Sequence, residues 1–334
     1  MPLPGPASLT EQAVFGLGSA EEIASLVSAY VRTRLGASVD HVVFRSGRID
    51  AVQGVGLDDG RSVVVKAYRR PVDLEGRRVA GEAQRALAAA GFPCPEPLAG
   101  PDEFRGLVLG VESMAPAGEP VDGRDPEVRR ALATGLHDQV EILRTVPGLA
   151  SRAGPGSAWC RYQRGPWPEA HVADLDLSRT PPGFGWLDGL ARTASDAILA
   201  GRDGEEVVVG HDDWYAGNTS FVGGRLAGSF DWQLVADTEP VLAGFTAAMY
   251  ASSASAGGGL STPAEAVAFL VDHEQARGET FDGRQRRVVG AAAAWTLAFS
   301  ARCALCTLVG EPAPGSSLAL LAEHGEEYLD LQWS

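Results

Sequence analysis

A change of texture part-way along the chain limits what it can fold into. From His41 to Met114 the sequence runs in short β-rich segments: "HVVFRSG", "IDAVQGVGL", "RSVVVKAY" and "GLVLGVESM". Gly or Asp-Gly turns separate them, and "LDDGRS" has the pattern of a hairpin. One helix interrupts, roughly Asp73 to Ala90, closed by Gly91 and Pro93. After the connector "APAGEP" the pattern turns mostly helical, as in "DPEVRRALATGLHDQVEILRTV" and in a helix near Trp186–Ala200. Ahead of the β-rich part, the first ten residues read as frayed. Ser19 and Glu22 then fit a capping box, Ile23, Leu26, Val27 and Tyr30 share one helical face, and Gly36 suits the stop. The expected class is α+β, in three segments: an N-terminal extension and helix over 1–38, a small antiparallel sheet lobe with one helix over 39–117, and a helical lobe over 118–334. A sheet lobe joined to a helical lobe predicts a cleft between them.

Charge and cysteine content narrow the partners. The formal net charge is -15 over 334 residues, which argues against nucleic acid, because phosphate binding needs clustered Lys and Arg. It suits a cationic substrate drawn to an acidic cleft, or simply a soluble acidic surface. Cys94, Cys160, Cys303 and Cys306 lack the second pair or the spaced histidines of a zinc site, and read as packed thiols in a reducing compartment. "MPLPGPASLT" lacks the basic and apolar regions of a signal peptide, so a cytoplasmic protein is expected. The stretch Gly290 to Gly310 is long enough to span a membrane. Its Ala, Ser, Thr and Cys content and Arg302 near its middle favour a buried core helix instead. "ASSASAGGGLSTPAEA" reads as a flexible loop closed by a helix start.

The chemistry gathers in "VVVGHDDWYAGNTSFVGGRLAGSFDWQ". Asp212 and Asp213 are adjacent, Asn218 follows, and Asp231 lies beyond a Gly-Gly turn. A short strand would deliver His211 and Asp213 into a loop that ends at Asn218. "TSFV" and "RLAGSF" then form a hairpin whose ends bring Asn218 and Asp231 together. An amide oxygen and a carboxylate at one point make a hard-oxygen site for Mg²⁺, with Asp213 placed to orient an attacking hydroxyl. Taken singly, the same residues are ordinary turn formers.

The order His211, Asp213, Asn218, then a hairpin and Asp231-Trp232, resembles the aminoglycoside phosphotransferase family, within the protein-kinase-like fold. The resemblance covers roughly Val42 to Ala243. It implies an ATP- or GTP-dependent transfer of phosphate to a small-molecule hydroxyl, with Mg²⁺ on Asn218 and Asp231, Asp213 as the catalytic group and His211 bracing the loop. It also implies that Lys66 in "RSVVVKAY" holds the α/β-phosphates, that Glu82 in "VAGEAQRAL" holds that lysine, and that the backbone of Glu112 and Met114 meets adenine. "GFPCPEPL" is similar to the family pattern as well. Family members act on aminoglycosides, other antibiotics, choline, homoserine and sugar-like metabolites. The acceptor is therefore open, with a cationic antibiotic compatible with the acidic balance. No nucleic acid or membrane partner is expected, and the oligomeric state is open.

Departures from the family pattern are local. Asp212 stands where Gly is common, and reads as a tolerated backbone residue or a surface acid. Trp214 and Tyr215 replace a commoner Leu-His pair and read as packing. "DTEPVLAGF" carries Ala243 and Gly244 where an acid is expected. That departure keeps open a nucleotide-binding pseudokinase. A protein kinase is disfavoured: there is no Gly-x-Gly-x-x-Gly before Lys66, no Asp-Phe-Gly and no Ala-Pro-Glu.

Overall fold

The computed structural model describes residues 6–119, 121–165, 167–170, 175–252 and 259–333. It divides into two compact units, Met1–Pro116 and Ala117–Ser334. Residues 1–5 of the segment read as frayed, and "SASAGG" in the loop read as flexible, lie outside the described residues.

In the first unit the chain is ordered earlier than its sequence texture implies. Helix α1 (Leu9–Phe15) starts on a capping box, with Ser8 Oγ accepting from Glu11 N–H and Glu11 accepting in return from Ser8 N–H at 2.8 Å. Residues 8–10 are thus capped helix, not frayed chain, because both orphan donors at the helix start are met. Helix α2 (Ala20–Leu35) begins at Ser19, which accepts from the N–H groups of Glu21 and Glu22, and stops where Gly36 turns left-handed at φ 69°. Strands β1 (Val39–Ser46), β2 (Ala51–Leu57) and β3 (Ser62–Tyr68), helix α3 (Leu74–Ala89), and strands β4 (Pro97–Phe104) and β5 (Leu107–Ser113) follow. The strands form one five-stranded antiparallel sheet in the order β1-β2-β3-β5-β4. Val14, Phe15, Ile23, Val27 and Val31 of the two leading helices share one core with Val55, Val63, Val65, Leu109 and Val111 of the sheet. The buried Glu11 carboxylate ties α1 to the sheet: it takes Arg45 Nε at 2.7 Å from β1 and Gln53 Nε2 at 3.1 Å from β2.

The second unit comprises α4 (Pro126–Arg144), α5 (Leu149–Arg152), α6 (Gly185–Gly201), β6 (Val207–His211), β7 (Thr219–Val222), β8 (Arg225–Ser229), β9 (Leu234–Thr238), α7 (Glu239–Met249), α8 (Pro263–Arg277), α9 (Gly283–Leu305) and α10 (Ser317–Leu329). Helix α9 is the central element, packed by α6, α7 and α10. Its length and composition would allow a membrane crossing, yet most of it is buried inside the unit. Small side chains make that possible. A Cβ on Gly244 of α7 would stand 2.3 Å from Val289 O and 2.7 Å from Ala292 Cβ of α9. α7 and α9 thus approach too closely for any side chain at position 244, and Ala243 beside it is fully buried. Arg302 is tolerated in the core because backbone carbonyls receive it, Asp176 O at 3.0 Å and Arg179 O at 2.8 Å.

Candidate active site

Two short antiparallel ladders hold the acidic loop. Strand β6 pairs with β9, His211 facing Leu234, and the pairing continues through Asp212 N–H to Gln233 O at 3.1 Å. Strands β7 and β8 form the hairpin, turned by Gly223 and Gly224 at φ 55° and 75°. Phe230 N–H donates to Asn218 O at 2.8 Å, which extends the hairpin to the residue before Asp231. Asp231 itself adopts φ 55°, a left-handed conformation for a non-glycine residue. The unusual backbone thus sits at Asp231 and not at Asp212.

His211 joins these pieces. Its Nδ1 accepts from Asp213 N–H at 3.0 Å, which leaves the proton on Nε2 to be donated to Phe230 O at 2.8 Å. One neutral imidazole therefore ties the loop to the far end of the hairpin. Trp232, with its ring centroid 4.7 Å away, packs against it. The backbone N–H of His211 is received by Gln139 Oε1 of α4 at 2.8 Å. Trp214 packs as read from the sequence: it is buried, and its Nε1 donates to Leu132 O at 2.8 Å.

Asn218 spends its Nδ2 on Asp213, donating to the carboxylate at 2.9 Å and to the backbone carbonyl at 3.0 Å. The Asp213 carboxyl is pushed up to about 7, first by burial and then by the neighbouring Asp212 charge, with Asp231 adding to the rise and the Asn218 hydrogen bond opposing it. Asp231 is exposed. Asp212 is no surface acid: it is 5 % exposed, and its Oδ2 accepts from Ser157 N–H at 3.0 Å and Ser157 Oγ at 2.5 Å. Trp159 Nε1 donates to Asp212 O at 2.8 Å, so the 157–160 segment is laced to the loop.

In the first unit Lys66 and Glu112 lie on one face of the sheet. Lys66 faces Gly110 and Val64 faces Glu112 in the β3–β5 register, so the two long side chains are diagonal neighbours with no side chain at 110 between them. Lys66 Nζ meets Glu112 Oε1 at 2.8 Å. The Glu112 side chain is thus engaged as well as its backbone. Met114 N–H donates to Ser62 O at 3.2 Å, and Glu82 sits half-buried on α3.

Among the described residues, no group of three His, Cys, Asp or Glu side chains is arranged to hold a metal ion alone. The second unit instead offers an amide oxygen and carboxylates, with the Asp212 and Asp231 charges both acting on Asp213. That donor set fits Mg²⁺, which takes one or two carboxylates and completes its shell with water and substrate phosphates.

Gln139, Ser157 and the side-chain role of Glu112 beside Lys66 carry no motif. Only Gln139 has a signal in the sequence, as a polar residue on the buried face of α4 between Leu136, Val140 and Leu143.

Comparison with known proteins agrees with this geometry. The family model described as "Phosphotransferase enzyme family" matches residues 40–251. No curated protein matches the chain. Among solved structures, amicoumacin kinase hAmiN, in complex with AMP-PNP, Ca²⁺ and Ami, superposes with a TM-score of 0.60 at 12% identity, covering 93% of this chain and 96% of that one. The aminoglycoside phosphotransferase APH(4)-Ia gives 0.57 at 13% identity, with 93% and 100% covered. A Plasmodium vivax ethanolamine kinase gives 0.52 at 11% identity, with 90% and 85% covered. These likenesses establish an α+β, kinase-like fold.

Proposed function

The chain belongs to the phosphotransferase enzyme family, and from that premise we propose that it transfers the γ-phosphoryl group of ATP or GTP to a hydroxyl of a small molecule in the cytoplasm. The observation that carries this reading is the loop after β6: Asp213 held by Asn218, with His211 joining it to the hairpin end before Asp231. Solved structures of the same fold act on small molecules; one is a ternary complex with ADP and hygromycin B. The net charge of -15 favours a cationic acceptor, an aminoglycoside or another cationic antibiotic among them.

The reading gives each residue one task. Asp213 aligns the acceptor hydroxyl and takes its proton as transfer proceeds. Asn218 orients Asp213 through Nδ2 and offers Oδ1 to Mg²⁺, with Asp231 as the second ligand. Bound there, Mg²⁺ supplies positive charge against the phosphates. Lys66, anchored by Glu112 with Glu82 as its helical partner, holds the nucleotide phosphates. The backbone at Glu112 and Met114 receives the base, the Met114 N–H giving up its long bond to Ser62 O to do so, and His211 keeps the loop in place.

The test is thermal. ATP or GTP with Mg²⁺ raises the melting temperature of the wild type, and Asp231→Ala removes most of that rise. An unchanged melting curve with both nucleotides overturns the site. Nucleotide stabilisation without phosphate transfer to any member of a broad hydroxyl panel, read by acceptor mass, decides for the pseudokinase instead.

A further inference from the structure

Cys303 and Cys306, the Cys-x-x-Cys of the sequence, stand at the C-terminal end of α9. Both thiols are free and half-buried, so small solutes reach them while neighbours hold them in place. Cys306 caps the helix. Its N–H donates to Cys303 O at 3.1 Å, and Thr307 N–H does the same to Ala304 O at 3.1 Å. These bonds between residues three apart tighten the last turn toward 3₁₀ geometry, in which such residues stand one above the other. Their Cα atoms then lie about 6 Å apart, inside the range of about 4.4–6.8 Å that a disulfide takes. Cys306 Sγ leans back over the preceding turn, 3.7 Å from Arg302 O, in the direction of Cys303. The buried Arg302 guanidinium donates to that sulfur at 3.3 Å, and to Asp176 O at 3.0 Å and Arg179 O at 2.8 Å. Its charge is spent on neutral oxygens and one sulfur, and it meets an opposite charge when the sulfur loses its proton. Cys303 keeps its proton at neutral pH: burial pushes its thiol up to about 11, the Cys306 charge adding to the rise and Arg302 opposing it.

We infer that Cys303 and Cys306 form a site of oxidation by hydrogen peroxide and, resting on the phosphotransferase reading, that closing their disulfide slows phosphate transfer. Cys306 sulfur, its proton passed to water, attacks one peroxide oxygen. The O–O bond breaks, an S–O bond forms, and the other oxygen leaves as hydroxide and takes up a proton. Cys303 sulfur then attacks Cys306 sulfur. The S–O bond breaks, water leaves with the Cys303 proton, and the S–S bond forms. The two thiols lose two electrons in all, and the peroxide gains them. Reduced, Cys306 donates its S–H to Asp176 O at 3.3 Å, the oxygen that Arg302 also holds. The disulfide removes that S–H and draws the sulfur off the guanidinium, so residues 176–179 lose a hold. The two cysteines also pack on Ala158, Leu177 and Phe299. Ala158 lies between Ser157 and Trp159, the residues that bind Asp212. Closure therefore disturbs the packing beneath the segment laced to the acidic loop.

The full chain is treated with hydrogen peroxide. Titration in denaturant then finds two of the four thiols gone, and peptide mapping joins Cys303 to Cys306. Trypsin cleavage after the exposed Arg179 speeds up about fivefold, the protection that one hydrogen bond gives. Phosphate transfer slows about fivefold, and a dithiol reductant restores all three readings. Cys303→Ser stops at a sulfenic acid on Cys306 that dimedone labels. Cys306→Ser forms no disulfide and keeps its transfer rate in peroxide. No disulfide, or one that joins other cysteines, overturns the site. A disulfide that leaves trypsin cleavage unchanged overturns the release of residues 176–179. Nucleotide stabilisation is measured on the reduced protein. Where it is present, transfer that the disulfide leaves unchanged overturns the control of activity. Where it is absent, the phosphotransferase reading itself fails, and the thiol count and the trypsin rate decide the site.

Discussion

The first unit and the acidic loop of the second treat buried charge in opposite ways, although elsewhere the second unit also pairs largely buried acids with its own cations, Glu239 with Arg277 at 2.8 Å and Asp272 with Arg129 at 2.7 Å. In the first, carboxylates meet cations from the same chain: Glu11 takes Arg45, and Glu112 takes Lys66 at 2.8 Å. In the second, Asp212 and Asp213 are served by neutral donors, Ser157 and Asn218, while Asp231 adds a further negative charge close by. A charge closed within the chain steadies the fold. Like charges gathered at cost, on a loop fixed from both sides by His211, are held for something from outside. On the first side breaking a pair should cost stability; on the second, removing an acid should cost activity and spare the fold.

The sharpest contrast is expected at Asp213. Asp213→Asn keeps the shape and the Asn218 neighbour but removes the group that accepts the hydroxyl proton. Phosphate transfer should fall by about a thousandfold. The melting temperature without nucleotide should hold or rise, since one of the repelling charges is gone, and stabilisation by nucleotide with Mg²⁺ should persist. A collapse of the fold in this variant would place Asp213 with the structural charges of the first unit and erase the contrast.

How much of this was legible in the sequence follows from distance along the chain. His211, Asp213, Asn218 and Asp231 are read from one strand, one loop and one hairpin, where spacing alone fixes who meets whom. Lys66 is legible as a cation on an apolar strand. The Glu112 side chain is not, because only the β3–β5 register brings it to Lys66. Asp212 reads as a surface acid until Ser157, from a Pro- and Gly-rich loop far upstream, is seen closing over it. That Gly244 is a packing residue is not legible either, because only the approach of Val289 and Ala292 of α9 shows that no side chain fits there. Helix α9 itself was legible, since one arginine amid small residues fits a protein core better than lipid. Residues 8–10 read as loose because a helix of only seven residues offers too short a pattern to notice, although Ser8 and Glu11 spell its cap.

A second break of the comparison lies at Glu11. Burial alone would raise its carboxyl, but Arg45, Ser8 and Gln53 more than reverse this and hold it at about 2, below the ordinary 4.5. The folded value lies below the unfolded one, so this stabilisation is complete above about pH 4.5 and drains away as pH falls toward 2. Its size is about 3 kcal/mol. Glu11→Gln should cost about that much at pH 7 by leaving Arg45 without its charge partner, and should flatten the acid limb of stability against pH. Denaturant titrations between pH 7 and 2.5 check both. An unchanged acid limb would show that the pair contributes nothing to the fold.

The smallest effect is expected where a first-unit pair is exposed. Arg61 and Asp59 meet at 2.6 Å in the turn between β2 and β3, with side chains 45% and 40% exposed. Geometry there is as good as at the buried pairs, yet water and salt screen both partners, and holding two long side chains together offsets much of the attraction. Arg61→Ala should therefore move the melting temperature by less than about 1 °C, and added salt should erase even that. A loss approaching that of Glu11→Gln would mean that pairing alone, wherever it occurs, stabilises the first unit. A negligible shift assigns the stabilisation to burial of the pair, which Glu11 and Arg45 have and Asp59 and Arg61 lack.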